Sequence, residues 1–314
     1  MRSALMRRVV AHVDGVADVS LDVFPGTTVG LVGESGSGKS TLARTIMGLL
    51  TPAAGEILYR GKSIAGRREP GVKSIRREIQ MVFQDPYGSL NPRKSVEQII
   101  SECWLIHPGL VPRRQWKDAV ADLLTKVGLS PDYATRYPHQ FSGGQRQRIG
   151  LARALAAQPK LIVCDEPVAA LDVSIQAQIV NLLKDLQKEL GLSYLFIAHD
   201  LAVVRQMCDV VAVMYLGRIV EQGPQESFFA RPKHPYSQAL LSAAPIVDPW
   251  NHKGGGTRIV LSGEPPSPAN PPTGCAFHTR CWKAEDICHL LRPPLRDMDR
   301  AAHTCACHFA AADV

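Results

Sequence analysis

No stretch of this chain is apolar for anything near the ~18 residues that a membrane-crossing helix needs. The longest apolar runs, Leu161–Cys164 and Val210–Leu216, have the length of buried strands. A secretory leader is missing as well, because Met1 to His12 is basic without an apolar core or a small-residue cleavage site. Together these absences predict a chain that stays in the cytosol. There is no internal repeat, no low-complexity tract and no long run of one charge. The net charge of +7 is dispersed, with small clusters only at Arg67-Arg68, Arg76-Arg77 and Arg113-Arg114. Such a balance fits nucleic acid, an anionic membrane surface or phosphate-rich ligands, although a solvated basic face is the simplest reading.

The composition, 314 residues with 45% apolar and 21% charged, is that of a globular protein able to bury a sizeable core. Thr28–Val32 reads as a strand, followed by glycine and small residues and then helical periodicity over Lys39–Leu50. Leu161–Cys164 and Tyr194–Ala198 read as further buried strands. Between them Ile175, Ile179, Leu182, Leu183, Leu186 and Leu190 mark one face of a helix over Ser174–Leu190, stopped by Gly191. Strands alternating with helices predict an α/β fold with a mainly parallel sheet and functional groups at strand ends. Residues from about 95 to 157 have little strand character. There Trp116, Val120, Leu123, Leu124 and Val127 fall at helical spacing and predict an inserted helical subdomain. Composition changes after about Gly223: His252–Gly256 reads as a flexible hinge and Pro265–Pro272 is proline-rich. A small appended module with crowded cysteines follows.

The run Gly33-Glu34-Ser35-Gly36-Ser37-Gly38-Lys39-Ser40-Thr41 matches the phosphate-binding loop pattern in full, between a predicted strand and a predicted helix. Glycines let backbone N–H groups turn inward around phosphates, and the helix N-terminus adds its positive dipole end. Lys39 would reach the outer phosphates of ATP and the Ser40 hydroxyl would ligate Mg²⁺. At the end of the strand Leu161–Cys164, Asp165 can hold the metal, and Glu166 can accept a proton from an attacking water. An Asp-Glu pair is often only a solvated strand end, so its weight comes from coexistence with the loop.

Phe141-Ser142-Gly143-Gly144-Gln145, followed by Arg146-Gln147-Arg148, resembles the signature of ATP-binding cassette (ABC) proteins. Gln84 in a Val-Phe-Gln-Asp-Pro context, Ala170-Leu171-Asp172 and His199 complete the family's order of motifs, so the resemblance spans nearly the whole chain. It implies a P-loop NTPase cassette with an antiparallel β subdomain and an inserted helical subdomain over residues 1–225. A C-terminal domain would follow over 226–314. It implies a head-to-tail cassette dimer in which Ser142, Gly143, Gly144 and Gln145 cap the γ-phosphate of the partner's nucleotide. Gln84 would touch metal or water and couple the site to membrane subunits, His199 would position the attacking water, and Asp172 would cross the dimer interface. The runs Phe83–Pro92, His234-Pro235-Tyr236 with Ala239-Leu240-Leu241, and Gly263–Pro268 narrow the resemblance to oligopeptide and dipeptide importers, with which nickel and glutathione importers group. The Pro-Tyr-Gly-Ser-Leu run and Gly-Gly-Gln-Arg-Gln-Arg resemble the F-type ATPase. A D-type ATPase would then complete a heterodimer with two transmembrane permeases and, indirectly, an extracytoplasmic binding protein, at the cytoplasmic face of the membrane.

Two features depart from the family pattern. No aromatic precedes Phe24 to stack on adenine, so either the chain begins late relative to the family or that stacking is weakened. Ala169 stands where serine is common, with little consequence expected. Of the eight cysteines, Cys275, Cys281, Cys288, Cys305 and Cys307 crowd the last forty residues. In a cytosolic chain this points to metal chemistry rather than disulfides. The resemblance implies a structural [4Fe-4S] cluster on Cys275, Cys281, Cys288 and Cys307, with Cys305 an extra. Zinc remains open, given His278, His289, His303 and His308, and so do packed reduced thiols. A soluble ABC ATPase acting on DNA or the ribosome is the rival from another class. It is disfavoured by the single cassette and short insertion, so no nucleic-acid partner is expected. A catalytically silent, ATP-binding partner is disfavoured by intact Glu166 and His199.

Overall fold

The short apolar runs do become strands, and the amphipathic stretches become helices. The structure is a computed structural model and describes residues 13–65, 72–85, 87–169, 171–243, 258–298 and 302–311. In chain order the strands are β1 (Thr28–Val32), β2 (Leu58–Tyr59), β3 (Lys62–Ser63), β4 (Ile79–Val82), β5 (Leu161–Asp165), β6 (Ser193–Ala198), β7 (Val210–Tyr215), β8 (Arg218–Pro224), β9 (Arg296–Asp297) and β10 (Thr304–Cys305). The helices are α1 (Lys39–Ile46), α2 (Val72–Glu78), α3 (Val96–Ile106), α4 (Trp116–Lys126), α5 (Gly143–Leu155), α6 (Val173–Leu190), α7 (Leu201–Met207), α8 (Gln225–Ala230), α9 (Pro235–Ala243) and α10 (Asp286–Leu290). The predicted hinge His252–Gly256, the Arg67-Arg68 cluster, Pro86 and Ala170 lie outside the described residues. Among the described residues no helix is long and apolar enough to cross a membrane.

Two compact units divide the chain. One draws on Met1–Asp22, Val29–Leu42 and Ala198–Val314, the other on Val23–Thr28 and Ala43–Ile197. In the second unit β4, β5 and β6 run parallel, with Met81 opposite Val163 and Val163 opposite Leu195. β5 and β6 are buried almost throughout, as near-continuous apolar strands of a parallel sheet must be. The expected helical stretch supplies α3, α4 and α5. Val96, Ile100, Trp104, Val120, Leu124 and Ile149 are buried there, and Trp104 lies 5.7 Å from Trp116. The Trp104 indole N–H donates to the Ala156 carbonyl at 2.9 Å, so burying this amphipathic ring leaves no polar group unpaired. α6 buries Ile179, Val180, Leu183 and Leu186 and ends at Gly191, whose φ of 63° only glycine adopts cheaply. A two-stranded antiparallel ribbon, β2 with β3, carries the small β subdomain.

In the first unit β1 pairs parallel with β7. β7 then turns back antiparallel onto β8 through Leu216 and Gly217, both at positive φ (43° and 80°). Two such residues suit a tight hairpin on twisted strands. β10 extends the sheet antiparallel from β8 and pairs with β9. The helix predicted over Lys39–Leu50 stops early, at Ile46. Gly48 takes a φ of 68°, and the Gly48 and Leu49 amides bond back to the Thr45 and Arg44 carbonyls, which closes the helix.

Candidate nucleotide site

The phosphate loop leaves β1 at Gly33 and enters α1 at Lys39. Gly33 has φ 152°, and a Cβ there would lie 2.2 Å from the Met214 carbonyl oxygen. Gly38 has φ 108°, and a Cβ there would lie 2.1 Å from the Gly15 carbonyl oxygen. Both positions therefore need glycine, for backbone angle and for space. The β7–β8 hairpin holds the loop from below: the Gly217 amide donates to the Ser37 carbonyl at 2.7 Å, and the Ala17 amide to the Gly217 carbonyl at 2.8 Å. Lys39 is buried, and its ammonium donates to the Gly33 carbonyl at 2.8 Å, the Glu34 carbonyl at 2.9 Å and Ser37 Oγ at 3.3 Å. The ammonium therefore sits among three oxygens of the loop itself. His199 belongs to the same unit. It is exposed at the end of β6, just before Asp200, which caps α7 by accepting from the Ala202 amide at 2.8 Å.

The second unit carries the carboxylates. Asp165 is buried at the end of β5. Glu166 follows at φ 47°, an uncommon left-handed conformation for a non-glycine residue. Its amide donates to the Ile197 carbonyl at 3.0 Å, and its carboxylate Oε2 accepts from Gln84 Nε2 at 2.8 Å. Gln84 and Glu166 lie 82 residues apart in sequence, and β4 and β5 as neighbouring strands bring their ends together.

The Ser142–Gln145 segment forms the N-terminus of α5 as a capping box. Ser142 Oγ accepts from the Gln145 amide at 3.3 Å, while Gln145 Oε1 accepts from the Ser142 amide at 3.0 Å. The hydroxyl proton of Ser142 stays available to a ligand. Gly144 is fixed by packing, because a Cβ there would lie 2.6 Å from Ile175 Cγ2 on α6. Asp172 occupies the N-cap position of α6, exposed and without a side-chain capping bond.

The expected cysteine set, Cys275, Cys281, Cys288 and Cys307, lines one pocket together with His278 and His308. Gly274 (φ 66°) makes the approach possible, since a Cβ there would lie 2.3 Å from the Cys288 carbonyl oxygen, and the Cys275 amide donates to that carbonyl at 2.8 Å. Burial pushes the Cys275 thiol up to about 11. Burial likewise raises Cys281 and Cys307, and neighbouring thiols add to it. Cys305 is set apart, buried on β10 against Met298, Cys307 and Ala310. Among the described residues, however, no group of three or more His, Cys, Asp or Glu side chains is placed to hold a metal ion. Neither the expected iron–sulfur cluster nor the zinc alternative is therefore shown, although the four thiols line the same pocket.

Sequence reasoning missed several residues around this site. Glu221 is completely buried on β8, and its carboxylate accepts from the Lys233 amide (2.7 Å), the His234 amide (2.8 Å) and His303 Nε2 (2.8 Å). Arg280 and Tyr236 bond Glu34 of the phosphate loop. The only signal for these was the His234-Pro235-Tyr236 run, which had served as a family marker rather than as part of a site.

Known proteins match the chain over nearly its full length. Residues 16–169 match the ABC transporter family, and residues 220–288 match the oligopeptide/dipeptide transporter C-terminal region. The chain is 51% identical over 313 residues to the oligopeptide transport ATP-binding protein AppF of Bacillus subtilis, covering 98% of this chain and 93% of that protein. It is 50% identical over 291 residues to the dipeptide transport ATP-binding protein DppF of Escherichia coli, covering 92% and 85%. Among solved structures, cbiO1 from Clostridium perfringens, part of the ABC transporter complex cbiONQ, superposes with a TM-score of 0.61 at 32% identity. That match covers 69% of this chain and 84% of cbiO1.

Proposed function

Because the chain belongs to the ABC transporter ATP-binding proteins of the oligopeptide and dipeptide transport group, we propose that it hydrolyses ATP to drive peptide uptake through separate membrane subunits. The observation that carries this reading is the phosphate loop, with Lys39 drawn into a ring of loop oxygens that phosphate can replace.

In this mechanism Lys39 and the loop amides from Gly33 to Thr41 bind the triphosphate. Ser40, Gln84 and Asp165 would hold Mg²⁺, which would neutralise charge on the outer phosphates. Glu166 takes a proton from water as its oxygen bonds the γ-phosphorus and the bond to the ADP oxygen breaks. Gln84 bonds the Glu166 carboxylate, and His199 would orient the water and the γ-phosphate. Ser142, Gly143, Gly144 and Gln145 cap the nucleotide of a partner cassette with a hydroxyl and a helix N-terminus, and Asp172 contacts that partner. A D-type ATPase is the partner, two permeases form the membrane pathway with a binding protein outside, and the chain sits peripherally at the cytoplasmic face.

Residues 1–225 act as the ATP-binding domain, with the helical subdomain at about 95–157, and residues 226–314 as the C-terminal domain. Cys275, Cys281, Cys288 and Cys307, which line one pocket, would hold a [4Fe-4S] cluster as its thiolate ligands. Its role is structural.

The test is Lys39→Ala in the full chain, read by MgATP binding and by peptide uptake in cells. Both are expected to be lost; retention of both would overturn the reading.

A further inference from the structure

Glu34 is the one charged side chain in the phosphate loop besides Lys39, and all its polar groups are tied down. Its carboxylate accepts two bonds from Arg280, at 2.7 Å from Nη1 and 3.0 Å from Nη2. Its amide donates to the Tyr236 hydroxyl at 2.7 Å, and its carbonyl accepts from Lys39 at 2.9 Å. We infer that Arg280 and Tyr236 are positioning residues for ATP, through which the carboxy-terminal part of the chain sets the affinity of the phosphate loop; this rests on reading Gly33–Thr41 as the ATP cradle.

A carboxylate in a loop that must accept a polyanion repels it, and the bidentate Arg280 fork cancels that charge at the one place where it matters. Arg280 is 7% exposed and Glu34 29% exposed, so water screens the pair only in part. Tyr236 takes up the Glu34 amide, which fixes the direction of the loop where it leaves β1. Both residues stand on a rigid base: Tyr215, Tyr236 and Phe277 are buried against one another with ring centroids 4.7 to 5.3 Å apart. The Arg280 amide donates to the Phe277 carbonyl at 3.0 Å, and Cys281 follows directly. The state of the cysteine module is thus one residue away from the guanidinium that neutralises the loop.

The test is equilibrium titration of the full chain with MgATP, together with KM and kcat for hydrolysis. Arg280→Gln leaves Glu34 uncompensated and is expected to weaken binding about tenfold, with KM rising more than kcat falls. Arg280→Lys keeps the charge and loses the fork, so it recovers part of that loss. Glu34→Gln serves as the reference background, and Glu34→Gln with Arg280→Gln is expected to bind within about twofold of Glu34→Gln alone. Should Arg280→Gln fail to fold, the double variant and Tyr236→Phe, which deletes one oxygen, decide the matter. The double must stay near Glu34→Gln, and Tyr236→Phe must weaken binding. Unchanged affinity in a folded Arg280→Gln, or a double variant as weak as Arg280→Gln, overturns the inference. Wild-type protein that binds no ATP would instead sink the reading of the site on which it rests.

Discussion

Gln84 donates its side-chain amide to the carboxylate of Glu166 across 2.8 Å, joining the ends of two neighbouring parallel strands. The bond fixes a carboxylate whose residue sits in a left-handed backbone conformation, at φ 47°. Glu166→Gln keeps the shape and loses the basicity. MgATP binding is expected to persist while steady-state turnover falls by a factor of about 100 or more. Undiminished hydrolysis would remove Glu166 as the base.

Gly38→Ala tests the loop without touching its charge. The added Cβ would meet the Gly15 carbonyl oxygen at 2.1 Å, at a φ of 108° that side chains rarely adopt. Strain and displacement of the loop are expected to cost about 2 kcal/mol or more in denaturant unfolding and to abolish measurable MgATP binding. A variant as stable as wild type and still able to bind ATP would mean that the loop relaxes away from Gly15.

The cysteine pocket makes a compositional prediction. Protein purified without oxygen is expected to carry iron and acid-labile sulfide, and Cys275→Ser or Cys288→Ser is expected to lose both. Cys305→Ser, altering a thiol packed against Met298, should keep them. A metal-free protein with an unchanged melting temperature would leave the tail as packed thiols alone.

His234 gives a pH dependence whose sign can be worked out. Burial lowers its pKa from 6.5 to about 4, and the nearby Glu221 opposes that shift only in part. Between those values the unfolded chain binds a proton that the folded chain refuses, so stability falls as pH drops from about 6.5 toward 4. His234 Nδ1 accepts from the Tyr236 amide at 3.0 Å, and His234→Asn retains an acceptor there without a titrating group. The slope of unfolding free energy against pH should shallow by about one proton over that window. An unchanged slope would show that His234 does not carry the dependence.

Much of the candidate site's local structure was legible because it is written in contiguous residues. A strand, a glycine-rich turn and a helix follow one another from Thr28 to Ile46, and each needs only local spacing to be read. The α6 face was legible for the same reason, since Ile179, Leu183 and Leu186 repeat with the helical period. The helix end was misjudged because a glycine inside an apolar pattern does not announce which backbone angle it will take. At Gly48 the chain took the left-handed one.

By itself the sequence determined the order of the elements, marked the residues expected to hold phosphate, and singled out four thiols that line one pocket. Only the tertiary structure decided what those groups would be tied to. Arg280 reaches Glu34 across 246 positions of sequence, and Glu221 gathers His303 across 82. Periodicity records which face of an element is buried. It carries no information about which distant polar group will arrive beside it, because that depends on every intervening turn at once.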